Sequence, residues 1–167
     1  MPILIALAVS IGVLAVVATW LFLGPLAAID AQIWQAFAAW ACFFHCGGKA
    51  EGAQKTAICM TFGAVVGALS VMLAGQLGTL GPFAAPVAVG IGACAAVLAA
   101  HIGLVATIPA TVYGFACVAG LILLKGLTPV GALMPTIVSI IVGTIFGFAS
   151  EMLAGKLSKP AAANAAA

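Results

Sequence analysis

The chain has 167 residues, of which 66% are hydrophobic and only 5% are charged, with a formal net charge of +2. Soluble domains carry about 25% charged residues, so this composition excludes a water-facing surface and requires lipid as the main solvent. The small net charge gives no reason to expect a nucleic-acid partner. Because lipid leaves unpaired backbone groups unsatisfied, and the apolar segments lack the alternation of barrel strands, the sequence predicts an all-α integral membrane protein.

Six apolar segments separated by turn residues predict six transmembrane helices in a single domain, residues 1–157. A helix needs about 20 apolar residues to cross a bilayer. The first segment has no basic residue before it and no clear cleavage site, so it is predicted to be a span and not a signal peptide. In chain order the predicted spans are 3–23, 31–46, 56–76, 83–102, 109–124 and 130–155.

Three stretches depart from simple spans. The spans 31–46 and 109–124 have only sixteen residues each, about 24 Å as helices against a hydrocarbon core of about 30 Å. Residues 101–107 fit either a turn or a bent helix. The Ala-rich tail 158–167 is predicted to be disordered.

The lysines predict the orientation. With six spans and the N-terminus inside, four of the five lysines fall on one side: Lys49, Lys55, Lys156 and Lys159. Only Lys125 falls on the other side. Cytoplasmic loops carry an excess of lysine, so we expect a bacterial inner-membrane protein with both termini in the cytoplasm.

Two phrases of the sequence occur twice at an offset of 80. FGAVVGALSVMLAGQL (62–77) and VGTIFGFASEMLAGKL (142–157) share eight of sixteen positions, and LAVSIGVLAVV (7–17) and VAVGIGACAAV (87–97) share six of eleven. The second and fifth spans match poorly. Three spans in each half would make the second half enter from the opposite side, which predicts a 3+3 inverted repeat with halves 1–80 and 81–157. Coincidence in an Ala/Gly-rich chain is the alternative.

Small residues in the repeated phrase step by four and three, so they lie on one face of a helix. Such stripes allow close backbone approach in lipid, where no hydrophobic force drives helices together. We expect them to serve helix packing, and a glycine-lined pore is the alternative. The stripe residues are Gly63, Gly67 and Ser70 in one copy and Gly143, Gly147 and Ser150 in the other.

Glu151 replaces Val71 in the second copy and is a carboxylate within an apolar span, which is costly if unpaired. Lys55, on the same side, is its predicted partner. His45 and His101 end the second and fourth spans there, and with Glu151 and Lys55 they form a candidate cytoplasmic mouth. The alternatives are an interfacial glutamate that pairs or snorkels, and histidines satisfied at helix ends.

The start of the second span is a candidate outer vestibule, formed by Asp30, Gln32, Trp34 and Gln35. Gln32 and Gln35 are three residues apart and suit an aqueous mouth. The alternative for Asp30 is an N-cap of the second helix.

The cysteines are Cys42, Cys46, Cys59, Cys94 and Cys117, all within apolar segments. They are predicted to be free thiols that pack as small hydrophobes. CFFHC at 42–46 offers three soft-metal ligands but has no second cluster, so we expect no metal and no cofactor. The sequence has no nucleophile–base pair, phosphate loop or carboxylate pair, so nothing predicts an enzyme.

The segment WQAFAAWACFFHCGGKAEGAQKTAICMTFGAVVGAL (34–69) resembles the YcdZ-like family of small bacterial inner-membrane proteins, whose function is not established. The resemblance rests on the aromatic second span, the Gly47-Gly48 end, the lysine before the third span and the Gly63/Gly67 pair, and extends over 3–157. It implies an inner-membrane location and supplies no catalytic residues. A fainter similarity is to fusaric acid and aromatic acid exporters and their malate-channel relatives, but this chain lacks their arginine and their large soluble part.

The leading functional hypothesis is a channel or facilitator for a small neutral or weakly ionised solute, since the spans carry few charges. A structural or accessory membrane subunit without transport activity is the first alternative, and an organic-anion exporter is the second. Besides the lipid bilayer, the expected partner is a second copy of the chain, in a dimer or trimer.

Overall fold

A computed structural model describes residues 1–158 as a bundle of helices, and no strand occurs in that range. The all-α prediction is confirmed. Residues 159–167 of the predicted tail lie outside the described range. The six α-helices are α1 (Ile3–Leu23), α2 (Ile33–His45), α3 (Lys49–Gln76), α4 (Ala84–Leu98), α5 (Ile108–Lys125) and α6 (Pro129–Leu157).

Five segments between residues 1 and 158 are long and apolar enough to cross a membrane. They are α1, α3, Gly78–His101 with α4 at its centre, α5 and α6. The remaining helix, α2, has 13 residues, a length of about 20 Å. Six helices are therefore confirmed, and α2 is the one that is shorter than a full span. The equal lengths predicted for the second and fifth spans are wrong, since α5 has 18 residues.

Helix α2 is short because the chain reverses directly after it. Gly47 and Gly48 have φ angles of 93° and 67°, a region that glycine enters without the steric cost of a Cβ atom. Their N–H groups donate to the carbonyls of Phe44 and Phe43. Residues 46–48 therefore form a three-residue connection from α2 to α3.

Helix α3 begins about two turns before the predicted position. The predicted spans leave residues 47–55 as a break, but residues 49–55 belong to the helix. Glu51 and Lys55 form an i,i+4 ion pair at 2.6 Å there, which favours helix. Residues 101–107, for which the sequence left two possibilities, form a turn built from two short 3-10 segments, Ala99–His101 and Gly103–Val105.

Helices α3 and α6 contact each other at the centre of the bundle. On either side of this pair, α3 packs against α5 and α6 packs against α2. The outer helices are α4, which lies on α3, and α1, which lies on α6. Both outer helices expose most of their apolar side chains, as lipid-facing helices do.

The two ends of the bundle differ in charge. The amino group of Met1 donates to the Leu157 carbonyl at 3.3 Å, so both ends of the described chain lie at one end of the bundle. The α2–α3 connection lies there too, because Lys49 contacts Glu151 on α6. We call this the lysine-rich end. Asp30 and Lys125 lie at the opposite end and form an ion pair at 3.3 Å.

Glycines allow the closest helix contacts. A Cβ atom on Gly63 would overlap the Thr111 carbonyl of α5, and one on Gly143 would overlap the Ala36 backbone of α2. A Cβ on Gly67 would lie 2.6 Å from Val118, and one on Gly147 would lie 2.9 Å from Phe43. The stripe glycines thus lie where the helix axes approach each other.

We expect Gly63→Ala and Gly143→Ala each to lower the free energy of unfolding by about 1–3 kcal/mol, because the added methyl group must displace a neighbouring backbone. Thermal unfolding in mild detergent, followed by tryptophan fluorescence, measures the effect. Gly12→Ala in α1 is the matched control, since no atom lies within 4 Å of its Cβ position and alanine favours helix. Wild-type stability of both stripe variants would contradict the packing role.

Candidate functional site

Glu151 binds the start of a neighbouring helix. Its Oε2 atom accepts a hydrogen bond from the Lys49 backbone N–H at 2.6 Å, and its carboxylate lies close enough to Gly48 to meet a Cβ atom there. Lys49 is the first residue of α3. A carboxylate at a helix N-terminus satisfies a free N–H group and complements the helix dipole. Glu151 therefore fastens the end of α6 to the beginning of α3.

The other residues of the predicted mouth have separate partners. Lys55 pairs with Glu51 and not with Glu151, because the helical turn of α3 brings Glu51 and Lys55 together. His45 Nδ1 lies 3.1 Å from the Tyr113 hydroxyl of α5. His101 is exposed after α4. The four residues lie at the lysine-rich end, but they do not form one cluster.

A groove of about 250 Å³ opens at the lysine-rich end between α3 and the Gly103–Val105 turn. The Glu51–Lys55 ion pair forms part of its wall. Its lining residues are Glu51, Gln54, Lys55, Ile58, Gly103 and Leu104.

Asp30 does not cap α2, contrary to one of the two sequence interpretations. It has a left-handed conformation, with φ of 59°, after the 3-10 turn Pro25–Ile29, and its carboxylate faces Lys125. Gln32 occupies the N-cap position of α2 without a side-chain capping bond. The Gln32 N–H donates instead to Ser139 Oγ at 3.0 Å.

The predicted vestibule is split between surface and core. Gln32 is half-buried, and its Nε2 group donates to the Asp30 carbonyl at 2.9 Å. Trp34 is partly exposed and covers the backbone of Gly120 on α5. Gln35 is fully buried, so it does not line an open mouth.

Gln35 connects α2 with two other helices. Its Nε2 group donates to the Cys117 carbonyl of α5 at 2.9 Å and to Thr136 Oγ1 of α6 at 3.1 Å. Its Oε1 atom has no hydrogen-bond partner within the described residues. A carbonyl accepts but does not donate, so the contact with Cys117 fixes which end of the amide is nitrogen.

Most other buried hydroxyls bond within their own helix. Ser10, Ser70, Ser139 and Thr144 each donate to the carbonyl four residues earlier. Such bonds satisfy the hydroxyl proton within one helix, although Ser139 Oγ also accepts from the Gln32 N–H. Sequence reasoning missed Thr136, because nothing in its neighbourhood distinguishes it from those locally bonded hydroxyls.

Ser150 of the repeated phrase links α6 to α2. Its Oγ atom donates to the Gly147 carbonyl at 2.7 Å and accepts from the Trp40 indole N–H at 3.0 Å. In the other copy, Ser70 donates to Val66 at 2.8 Å. The sequence also gave no sign that Trp40 would contact Ser150 or that Tyr113 would contact His45, because both aromatic residues lie in apolar segments.

The cysteines are free thiols. Cys42 Sγ lies 3.8 Å from Cys46 Sγ and 3.6 Å from the Thr56 hydroxyl. No group of three His, Cys, Asp or Glu side chains between residues 1 and 158 is arranged to hold a metal ion.

Residues 8–155 match the family described as "Protein of unknown function (DUF1097)". The chain belongs to this family. The match covers α2 to α5 completely and most of α1 and α6. No curated protein and no solved structure shows a significant match to the chain. The description of this family assigns no activity.

We expect Glu151→Gln to lower the free energy of unfolding by about 0.3–1 kcal/mol, because the charge at the α3 N-terminus is lost while the shape remains. Hydrogen exchange of the amides at 49–52 should become faster, as measured by mass spectrometry in detergent. Asp30→Asn is the control, since it removes a carboxylate from the opposite end of the bundle, where Asp30 pairs with Lys125. Unchanged exchange at 49–52 in the Glu151 variant would contradict the capping role.

Proposed function

We propose that the protein is an inner-membrane channel or facilitator for a small neutral or weakly ionised solute, built as a 3+3 inverted repeat. The observation that carries this proposal is the equivalence of helix contacts in the two halves. Helix α6 lies on α2 and α1, as α3 lies on α5 and α4. Inverted repeats are a recurrent plan of transporters, with the solute site where the halves meet.

The residues that make these contacts correspond between the two halves at constant differences in residue number, which supports the repeat. Adding 80 to a position in α3 gives its counterpart in α6, and adding 75 to a position in α2 gives its counterpart in α5. The related contacts are Gly63 with Thr111 and Gly143 with Ala36, then Gly67 with Val118 and Gly147 with Phe43.

The change of offset from 80 to 75 has a simple origin. Helix α5 has 18 residues and α2 has 13, a difference of 5. A three-residue connection follows each of them, 46–48 and 126–128. The offset of 80 therefore returns in α6, and the poor match of the middle spans at that offset follows from the shorter α2.

The polar groups buried between the halves favour a neutral solute. They are amide and hydroxyl groups, including Gln35 and Thr136. The carboxylates Asp30, Glu51 and Glu151 have basic or backbone partners near the ends of the bundle. An organic-anion exporter, the activity of the more distantly similar group, has less support because no buried cation is present in residues 1–158.

A structural or accessory subunit is the second candidate, and the filled core favours it. Large side chains occupy the bundle interior, including Phe43, Met60, Leu121 and Ile140. In the proposed facilitator this arrangement is a closed state, and solute passage requires the halves to move against each other as packed units. Flux measurements separate the two candidates.

Reconstituted protein should increase the flux of small neutral solutes across liposomes. Stopped-flow light scattering with urea, glycerol and ammonia, and with acetate and malate as anions, measures the permeability of each. We expect an increase for at least one neutral solute and none for malate, whose charge has no buried partner. Liposomes that contain heat-denatured protein are the control. No increase for any solute would favour the accessory subunit.

We expect both the α2–α3 connection and Leu157 to face the cytoplasm, because the lysine-rich end should remain inside. Reporter fusions within 47–48 and after 157 should both report cytoplasm, and an insertion at 126 should report the opposite side. Disagreement between the first two would contradict the inverted repeat.

A dimer or trimer in native mass spectrometry would support the proposed self-association through the exposed faces of α1 and α4.

A further inference from the structure

Gln35 has an unused acceptor in a place that water cannot reach freely. The residue is fully buried, and Oε1 has no partner within the described residues. A buried acceptor without a donor costs about 1–3 kcal/mol. Rotating the amide does not remove this cost, because Oε1 would then face the Cys117 carbonyl oxygen that Nε2 now contacts.

Thr136 has an unused donor beside it. Its Oγ1 atom accepts from Gln35 Nε2 at 3.1 Å, and within residues 1–158 its own proton has no acceptor. Thr144, about two helical turns further along α6, instead donates to the Ile140 carbonyl. The Thr136 hydroxyl therefore contacts α2 and makes no hydrogen bond to a carbonyl of its own helix within residues 1–158.

The acceptor and the donor lie within reach of one small molecule. The oxygen and nitrogen of an amide are about 2 Å apart, as the bond lengths require. Since Nε2 is 3.1 Å from Thr136 Oγ1, Oε1 lies within about 5 Å of that hydroxyl. A molecule with hydrogen bonds of about 3 Å on each side bridges this separation.

We propose that Gln35 Oε1 and the Thr136 hydroxyl hold a small neutral molecule that both donates and accepts hydrogen bonds, between α2, α5 and α6. Water is the smallest such molecule, and urea and ammonia share the chemistry. Oε1 repels an anion because it is an acceptor. The site's place on a transport route rests on the proposed function, but binding at the site does not.

Nuclear magnetic resonance of the full chain in lipid nanodiscs tests binding without a flux measurement. The chain has four glutamines, at 32, 35, 54 and 76, and Gln35→Leu identifies the Gln35 signal in ¹³C,¹⁵N-glutamine-labelled protein. We expect the Gln35 Cδ shift to fall in the hydrogen-bonded range, with magnetisation transfer from water or from added ¹⁵N-urea. Thr136→Val should reduce that transfer severalfold.

Thr111→Val is the matched control, because Thr111 is equally buried but its hydroxyl donates to the carbonyl of Thr107, the residue before α5. It should leave the Gln35 signal unchanged. A Cδ shift typical of a free carbonyl, with no transfer from water or urea, would overturn the proposal. Gln32, Gln54 and Gln76 are not fully buried, so their substitution by leucine assigns the other three signals and identifies Gln35 by elimination if Gln35→Leu does not fold.

Flux then separates a solute site from a resident water. If the site lies on the route, Gln35→Leu and Thr136→Val should lower urea permeability about tenfold, the factor that corresponds to one lost hydrogen bond, and Thr111→Val should not. If magnetisation is transferred from water to Gln35 and both Gln35→Leu and Thr136→Val keep the wild-type urea permeability, the site binds water but does not lie on the transport route. If the wild-type protein conducts urea but no water or urea is detected at Gln35, the proposed site is wrong and the proposed function stands.

Discussion

Close contact between helix backbones determines the arrangement of this bundle. In lipid, apolar side chains gain little by leaving the solvent, so helices associate through close packing and hydrogen bonds. Gly63 brings α3 onto the backbone of α5, and Gly143 brings α6 onto the backbone of α2. Once these two pairs are formed, α3 and α6 meet at the centre, and α1 and α4 are left on the outside.

Glu151 and Val71 show how the proposed halves differ. Glu151 binds the α2–α3 connection through the Lys49 N–H. At the corresponding place in α3, Val71 packs against the apolar core, as does Leu127 of the α5–α6 connection. One end is thus held by a charge at a helix N-terminus and the other by apolar contact. The repeated sequence preserves the packing stripe and replaces the apolar Val71 by the charged Glu151.

Composition and turn residues predicted the helical class and most helix boundaries, because both depend on local chemistry. The start of α3 could not be predicted from apolarity, since its first two turns are polar and the Glu51–Lys55 pair supports them. Asp30 and Lys125 are 95 positions apart in the chain, so their ion pair depends on how α5 ends beside the start of α2.

The candidate site was the least predictable part of the structure. Gln32 and Gln35 have helical spacing, which indicated a shared polar face. The helix begins only at Ile33, so Gln32 lies outside it and the two side chains separate. The burial of Gln35 depends on α5 and α6, which supply the Cys117 carbonyl and Thr136. Neither contact leaves a local pattern in the sequence.

The shortness of α2 has a consequence for biogenesis. A segment of 13 residues is shorter than the stretch of about 20 that is needed to span a bilayer, and Gln35 makes it less apolar. Only residues 46–48 separate it from α3, whose 28 residues form an ample span. Helix α2 should therefore enter the membrane together with α3 as a helical hairpin, so that synthesis of α3 precedes stable insertion of the helix before it.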